Sequence, residues 1–257
     1  MNTNSTFQIG KDHITCEDFA LTGMNGEVAY AIVSDGCSAS KNVDFGSRVI
    51  AMSAKKILVG NWTDMPSDYF SKFVIENAQR VTDIFPFLSQ ECLDATLLAA
   101  WVYNKKLTVY MFGDGVFVHR NKNAVDLVHI HLTSGAPDYL SYYLDSNRKK
   151  SYDELKDNRK EVWTNMDEPC IYSPFDPFEY ECTVEEGDVI SVISDGINSF
   201  RKSDYTPIPW QDLIDEFTAY KTVEGEFVLR RISAFKRKCI KESISFSDDI
   251  SVASIIV

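Results

Sequence analysis

An α+β layered sandwich is the fold class that this 257-residue chain predicts. Short runs dominated by Val and Ile recur along it, and several are apolar on both faces, the pattern of strands covered on each side. Helical stretches fall in the order strand, helix, helix, strands, then strand, helix, strand, which suits helices layered on antiparallel sheets. Hydrophobic residues make up 44% of the chain and aromatics 12%, so a sizeable core can form.

Residues 28–34 (VAYAIVS) read as a strand that ends in Ser-Asp-Gly. Asp44 can cap a helix over 45–59, with Phe45, Val49 and Met52 on one stripe. A second helix, from about 68 to 85, places Phe70, Phe73, Val74, Val81 and Ile84 on one face. Residues 96–103 (TLLAAWVY) form a strand. Residues 107–112 and 116–119 flank Gly113-Asp114-Gly115 as a hairpin, and 127–132 (LVHIHL) follow. Residues 134–180 differ. Pro137, Pro169, Pro174 and Pro177, several Tyr and the run RKKSYDELKDNRKE carry no long period. They read as a partly irregular insertion within one domain spanning 1–257, of the kind that often serves as a lid. The strand 189–194 (VISVIS), also ending in Ser-Asp-Gly, a helix over 226–242 and the strand 250–257 (ISVASIIV) complete the chain. The last helix turns Val228, Ile232, Phe235 and Cys239 to one side. Arg230, Arg231, Lys236, Arg237, Lys238 and Lys241 fall on the other, a solvated face or a docking surface for an acidic or phosphorylated partner.

Lys and Arg number 26 against 38 Asp and Glu, a net charge of −12, which repels nucleic acid at long range. The polar start MNTNSTFQIG has no apolar signal region, and no stretch approaches the roughly 20 apolar residues that span a bilayer. Six cysteines (Cys16, Cys37, Cys92, Cys170, Cys182, Cys239) form no Cys-x-x-Cys pair, which argues against a zinc framework or disulfides and for a reducing, cytoplasmic setting.

Acidic residues collect at strand ends: Glu17-Asp18, Asp35, Asp114, Asp195 and Asp248-Asp249. One Asp at a strand end is ordinarily a turn residue. Several flanking the most apolar strands are different, because carboxylates ~4 Å apart repel by roughly 4 kcal/mol at an effective dielectric of about 20. Such a cluster needs protons or divalent cations. Oxygen-only ligands, with a carbonyl at Gly36 that no side chain shields, select hard ions, Mg2+ or Mn2+.

The ordered segments CEDFA, VSDG, DATLLAAW, MFGDG, EEGDVISVISDGI and SDDISVASIIV resemble the metal-dependent serine/threonine protein phosphatases of type 2C, as a compact single-domain member. The resemblance implies a four-layer αββα sandwich, two antiparallel β-sheets flanked by helix pairs, with 134–180 where the family has its flap. It implies that Asp35, Asp195 and Asp248 are the catalytic acids. Asp35 would bridge two Mn2+ or Mg2+ ions, Gly36 would lend its main-chain carbonyl, and Asp195 and Asp248 would complete the second ion. Glu17 and Asp18 match the pair that holds metal-bound waters, and Asp114, with Asp195, matches the acid of a third ion. Thr96 matches a structural position. Asp249 reads as supporting the site or forming a turn, and Gly196 as serving its turn.

The implied reaction is in-line attack on phosphoserine or phosphothreonine by a metal-activated water, without a phosphoenzyme; a water or a His protonates the leaving oxygen. The implied partner is a phosphoprotein made by a Ser/Thr kinase, with neither nucleic acid nor membrane involved. A pseudophosphatase that only binds phosphoproteins is the alternative. Aspartyl-nucleophile enzymes want Asp-x-Asp, and cysteine phosphatases Cys-x5-Arg; Asp35-Gly36-Cys37 and the residues after Cys37 have neither. One departure concerns substrate binding. Where the family carries a phosphate-gripping Arg, this chain has His13, with Lys11 two residues earlier, and neither offers Arg's bidentate fork. Either residue takes over that task, or His13 is a solvated loop residue. His119, His129 and His131 read as core or surface histidines on strands. Cys16 and Cys37 abut the acidic motifs, where nearby metals would favour thiolate.

Overall fold

The computed structural model describes residues 1–60, 62–165 and 168–257. Met166 and Asp167, within the insertion expected over 134–180, lie outside them. Among the described residues, twelve strands form two antiparallel sheets. The larger sheet runs β1 (Asn2–Gln8), β12 (Ile250–Ile256), β11 (Val189–Ile193), β6 (Gly115–Arg120), β7 (Val125–Leu132), β8 (Lys160–Thr164), β9 (Cys170–Tyr172). The smaller runs β10 (Phe178–Thr183), β5 (Lys106–Phe112), β4 (Leu97–Tyr103), β3 (Val28–Ser34), β2 (Phe19–Asn25). The helices are α1 (Val43–Val59), α2 (Ser67–Thr82), α3 (Ser146–Asp153), α4 (Trp210–Thr218) and α5 (Phe227–Glu242).

The layers follow from the two-residue period of the strands. In β3, Val28, Tyr30 and Ile32 pack under α1 and α2, whereas Ala29, Ala31 and Val33 face the other sheet. In β6, Phe117 points between the sheets, while Val116 and Val118 pack with Leu213, Phe217, Ile232 and Phe235 of α4 and α5. Three apolar layers therefore separate four layers of secondary structure, the αββα arrangement expected. Small Ala residues on the inner face of β3 let the sheets approach closely. The helix side is filled by Phe70, stacked on Trp101 at 5.7 Å between ring centroids.

Helix α1 starts from Asn42, in the left-handed region at φ 58, so Asp44 lies in the first turn instead of capping. Met52 is exposed, leaving Val49 and Ile50 to the core. Helix α2 ends at Thr82, not 85, and buries Phe70, Val74 and Ala78. At ~100° per residue, Phe73 stands about 140° from Ala78 and is exposed, and Ile84 lies beyond the end of the helix and is exposed too. The buried stripe of α5 is the one expected. Its basic face is largely engaged. Arg230 donates to Thr222 and to the Glu224 carbonyl, Arg231 to the Asp215 and Glu216 carbonyls, Lys236 to Gln8 and Lys238 to Glu216.

Strands β1 and β2 were not expected. Asn2–Gln8 is polar apart from Phe7, and its pairing with β12 makes it a strand. Asn4 also reaches α5, where its Oδ1 accepts the Val228 and Leu229 N–H groups at 2.8 and 3.2 Å. Segment 134–180 is more regular than its composition implies. It holds α3 and a 3-10 turn over Leu140–Leu144, adds β8 and β9 beyond β7, and enters β10 at the edge of the smaller sheet. No helix among the described residues is long and apolar enough to cross a membrane.

Candidate metal centre

The strands deliver the acids to one rim. Asp35 leaves β3 zipped to the entry of β4. Its N–H donates to Thr96 Oγ1 (3.1 Å), its carbonyl accepts Thr96 N–H (2.8 Å), and Ser34 Oγ donates to the Thr96 carbonyl (2.7 Å). Cys37 N–H donates to the Asp94 carbonyl at 2.8 Å. Thr96 thus has the structural role expected. A Cβ on Gly36 would lie 2.9 Å from Val43 Cβ and 3.1 Å from the Glu17 carbonyl, so this glycine lets α1, the 15–18 segment and the Asp35 turn crowd together.

Asp18 precedes β2 and is fully buried. Its Oδ2 accepts Ser194 Oγ (2.6 Å), and that hydroxyl accepts Ser251 N–H (2.9 Å). Its Oδ1 is buried without a partner. Burial pushes the Asp18 carboxyl up to about 7 despite contacts with Asp35, Ser194 and Ser251, and the Asp195 charge adds to the rise. Burial, then the charges of Asp18 and Asp195, raise Asp35 well above the carboxylate range. Burial and Asp195 do the same to Asp114, which sits between Gly113 (φ 90) and Gly115 (φ 135), conformations open to glycine. Asp248 is raised to about 6 by burial and by Asp195. Asp18, Asp35, Asp114, Asp195 and Asp248 therefore share one neighbourhood.

Glu17, Asp249 and His13 form the flank of this group. Asp249 is 1% exposed and accepts Gly10 N–H at Oδ1 (2.7 Å) and Glu17 N–H at Oδ2 (2.6 Å). It thereby staples the N-terminal loop to the head of β12. His13 faces Glu17 and Asp249 through Nδ1 and Asp248 through Nε2. Lys11 is exposed. Gly196 does more than serve a turn: a Cβ there would lie 1.7 Å from the Asp249 carbonyl oxygen.

Two further residues belong to the surroundings. Buried Asp94 accepts Ser40 Oγ (2.8 Å), Ser141 Oγ (2.5 Å) and Arg148 Nη2 (2.7 Å), tying the loop after Gly36 to segment 134–180. Tyr139, from the same segment, has its phenol raised far above the usual range by burial, with Cys37, Asp114 and Asp35 adding to the effect. The polar cross-links of Ser194 and Asp94, and the position of Tyr139, have no periodic signature. The resemblance of DATLLAAW and VISVISDG to family segments marked their surroundings in the sequence, but not Asp94 itself. Burial, with the charges of Asp249 and Asp18 adding, pushes the Cys16 thiol up to about 12.

A centre of oxygen donors around one unpartnered buried carboxylate oxygen fits hard divalent cations. The family model described as Protein phosphatase 2C matches residues 9–234 of the chain. The chain belongs to the protein phosphatase 2C family. His13, Glu17, Asp18, Asp35, Gly36, Asp114 and Asp195 fall inside the matched stretch; Asp248 lies beyond it and reaches the same rim because β12 pairs with β11. Solved structures share the phosphatase 2C fold. A serine/threonine phosphatase of S. agalactiae is 14% identical, with TM-score 0.55 over 99% of this chain and 98% of that one. The PPM Ser-Thr phosphatase MsPP of Mycobacterium smegmatis, in complex with cacodylate, is 13% identical, with TM-score 0.56 over 100% and 98%. A bacterial serine phosphatase is 11% identical, with TM-score 0.59 over 100% and 98%. At such identities the likeness establishes the fold. No curated protein sequence matches the chain.

Proposed function

We propose that this phosphatase 2C family member is a metal-dependent phosphoprotein phosphatase that hydrolyses phosphoserine and phosphothreonine without a phosphoenzyme. One observation carries the reading: Asp18 is fully buried with one oxygen unpartnered, and Asp35 and Asp195 bear on it. Removing charges from water costs several kcal/mol per ion unless opposite charge compensates. Mg2+ or Mn2+ suits this all-oxygen set. Asp35, the Gly36 carbonyl, Asp195 and Asp248 would hold two ions, and Asp114 with Asp195 a third. Bound ions would neutralise phosphoryl oxygens and acidify a water.

The chain's own residues do the rest. Ser194 holds Asp18 so that its free oxygen can accept a proton from a water. Glu17, positioned by Ser38 and by its own N–H bond to Asp249, orients water from the other side. The two hydrogen bonds between Asp35 and Thr96 fix the turn that presents Asp35 and Gly36. Segment 134–180 contributes Tyr139 over the rim and acts as the flap of a single domain covering 1–257. The substrate is a phosphoprotein made by a Ser/Thr kinase, met in the cytoplasm.

The test is hydrolysis of p-nitrophenyl phosphate and of a phosphothreonine peptide with Mn2+. Turnover lost on EDTA addition and in Asp35→Asn, with unchanged circular dichroism, supports the reading. A second reading, a pseudophosphatase that binds phosphoproteins, is favoured by one feature: His13 stands where the family has Arg, with both ring nitrogens facing carboxylates. Phosphopeptide binding without turnover in any divalent ion would select it.

A further inference from the structure

We propose that the groove between α1 and α2, on the outer side of the helix layer, docks an amphipathic helix of another protein that carries acidic residues at both ends of its apolar stripe. The two helices run antiparallel. Phe45, near the start of α1, meets Phe85, just past the end of α2, at 5.4 Å between ring centroids, and Lys56, near the end of α1, lies 3.4 Å from Asn77 of α2. Arg48, Met52 and Lys56, about one turn apart, form one wall, and Asn77, Val81 and Phe85 form the other. Between them lies a trough of about 400 Å³ floored by Val49 and Ser53. Past Asn77, whose amide donates to the Phe73 carbonyl, lies a second hollow of about 340 Å³ beside Trp62, Tyr69 and Phe73.

Exposure marks this layer as a contact face. Met52, Trp62, Phe73, Ile84 and Phe87 are each 40% or more exposed. Single apolar residues on a surface are ordinary, but a run of them beside a trough is the mark of an interaction site. The other helix layer differs. The outward face of α5 is charged, and Ile240 is the one large apolar side chain it leaves exposed.

Charge decides the occupant. The chain carries −12, yet none of the residues around the trough is acidic and two are cations. Arg48 lies over the Phe7 and Phe19 rings and donates to the Asp44 carbonyl, and Lys56 meets the Asn77 amide oxygen. Among the described residues neither is paired with a carboxylate, whereas Lys72 and Arg80, farther out on α2, both lean on Glu76. A second copy of the chain would set these cations against themselves, because a two-fold interface opposes a patch to its own copy, and like charges so placed work against association. A foreign helix with apolar residues at i, i+3, i+4 and i+7 fills the trough. Asp or Glu at each end of that stripe meets Arg48 and Lys56, which stand about 12 Å apart along α1. This site does not rest on the phosphatase reading, since none of its residues belongs to the acidic centre.

The experiment is selection of a displayed library of short helical peptides on the full chain, followed by fluorescence-polarisation titration with the enriched peptide. Enriched peptides should carry apolar residues at helical spacing with Asp or Glu at both ends, and should bind more weakly as salt rises. Met52→Asp and Lys56→Glu, both at exposed positions, should each weaken binding roughly 10-fold or more with unchanged circular dichroism. Ile240→Asp, exposed on α5, should bind as the wild type does. Enrichment of peptides without acidic ends, no enrichment, equal binding by Met52→Asp, or a dimer in sedimentation that Met52→Asp dissociates would overturn the proposal.

Discussion

Two strands of this molecule end in the same three residues, Ser34-Asp35-Gly36 after β3 and Ser194-Asp195-Gly196 after β11, and the surroundings give the two copies different work. Ser34 donates within its own sheet, to the Thr96 carbonyl of the neighbouring strand. Ser194 reaches across the sandwich, donating to Asp18 of the other sheet while accepting the N–H of Ser251. A Cβ placed on Gly36 would lie 2.9 Å from a side-chain carbon of Val43, whereas one on Gly196 would lie 1.7 Å from a backbone oxygen of Asp249. The first copy is a turn locked inside one sheet. The second is the seam where both sheets and the head of β12 meet. Identical tripeptides thus carry unequal loads, and the load is set by what packs against them.

That inequality can be broken in four ways. The largest effect is expected at Gly196. A methyl group there must displace main chain, and overpacking of that kind costs typically 1–3 kcal/mol, occasionally more. Thermal melts should show Gly196→Ala several degrees below Gly36→Ala, and equal melting points would erase the distinction. Next comes chemistry. Asp35→Asn should cut Mn2+-dependent turnover on the order of 10³-fold, the several kcal/mol that a metal centre supplies. The same variant, freed of a repelling carboxylate, should melt higher than wild type when metal-free. A lower melting point would mean that Asp35 holds the fold together and does not strain it.

Smaller differences should separate the serines. Ser194→Ala strands a second oxygen of buried Asp18 and the Ser251 N–H, an expected loss of roughly 1–3 kcal/mol in denaturant unfolding. Ser34→Ala removes one hydrogen bond, worth about 1 kcal/mol. Reversed ranking would place the seam at the first copy. The smallest effect concerns acid. His129 lies 3.4 Å from Asn198, just beyond the second tripeptide, and packs at a tilt against Trp210. Burial, with His131 adding, holds its pKa down to about 4. A base whose folded pKa lies below its unfolded value loses stability as pH falls, here from its ordinary value of 6.5 through about 4. His129→Asn should flatten that decline in pH-dependent melts, and an unchanged slope would exclude the ring as its source.

Much of the framework was legible in residue order because it depends on local periodicity. Strands β3, β4, β5, β6, β7, β11 and β12 announce themselves by Val- and Ile-rich runs, and α5 by Val228, Ile232, Phe235 and Cys239. The acids at their ends were legible too, as carboxylates where turns alone did not need so many. What escaped has no period of its own. Strand β1 is polar but for Phe7 and is a strand because β12 offers it a ladder. Strands β8 and β9 are short, and β10 lies at a sheet edge, within a segment whose prolines and charges read as loop. The exposure of Phe73 followed from the rotation of α2 that its packing partner set, and that of Ile84 from the helix ending at Thr82.

At the centre the division is similar. Sequence by itself determined that oxygen ligands gather at strand ends, because Asp and Glu at the close of apolar strands are written residue by residue. Tertiary structure decided the rest: that Asp18 keeps one oxygen unpartnered, that Gly196 yields to a backbone oxygen, and that His13 sits among three carboxylates. Each of these is a distance between segments far apart in the chain. Such distances arise from how four layers close on one another, and no run of residues encodes them alone.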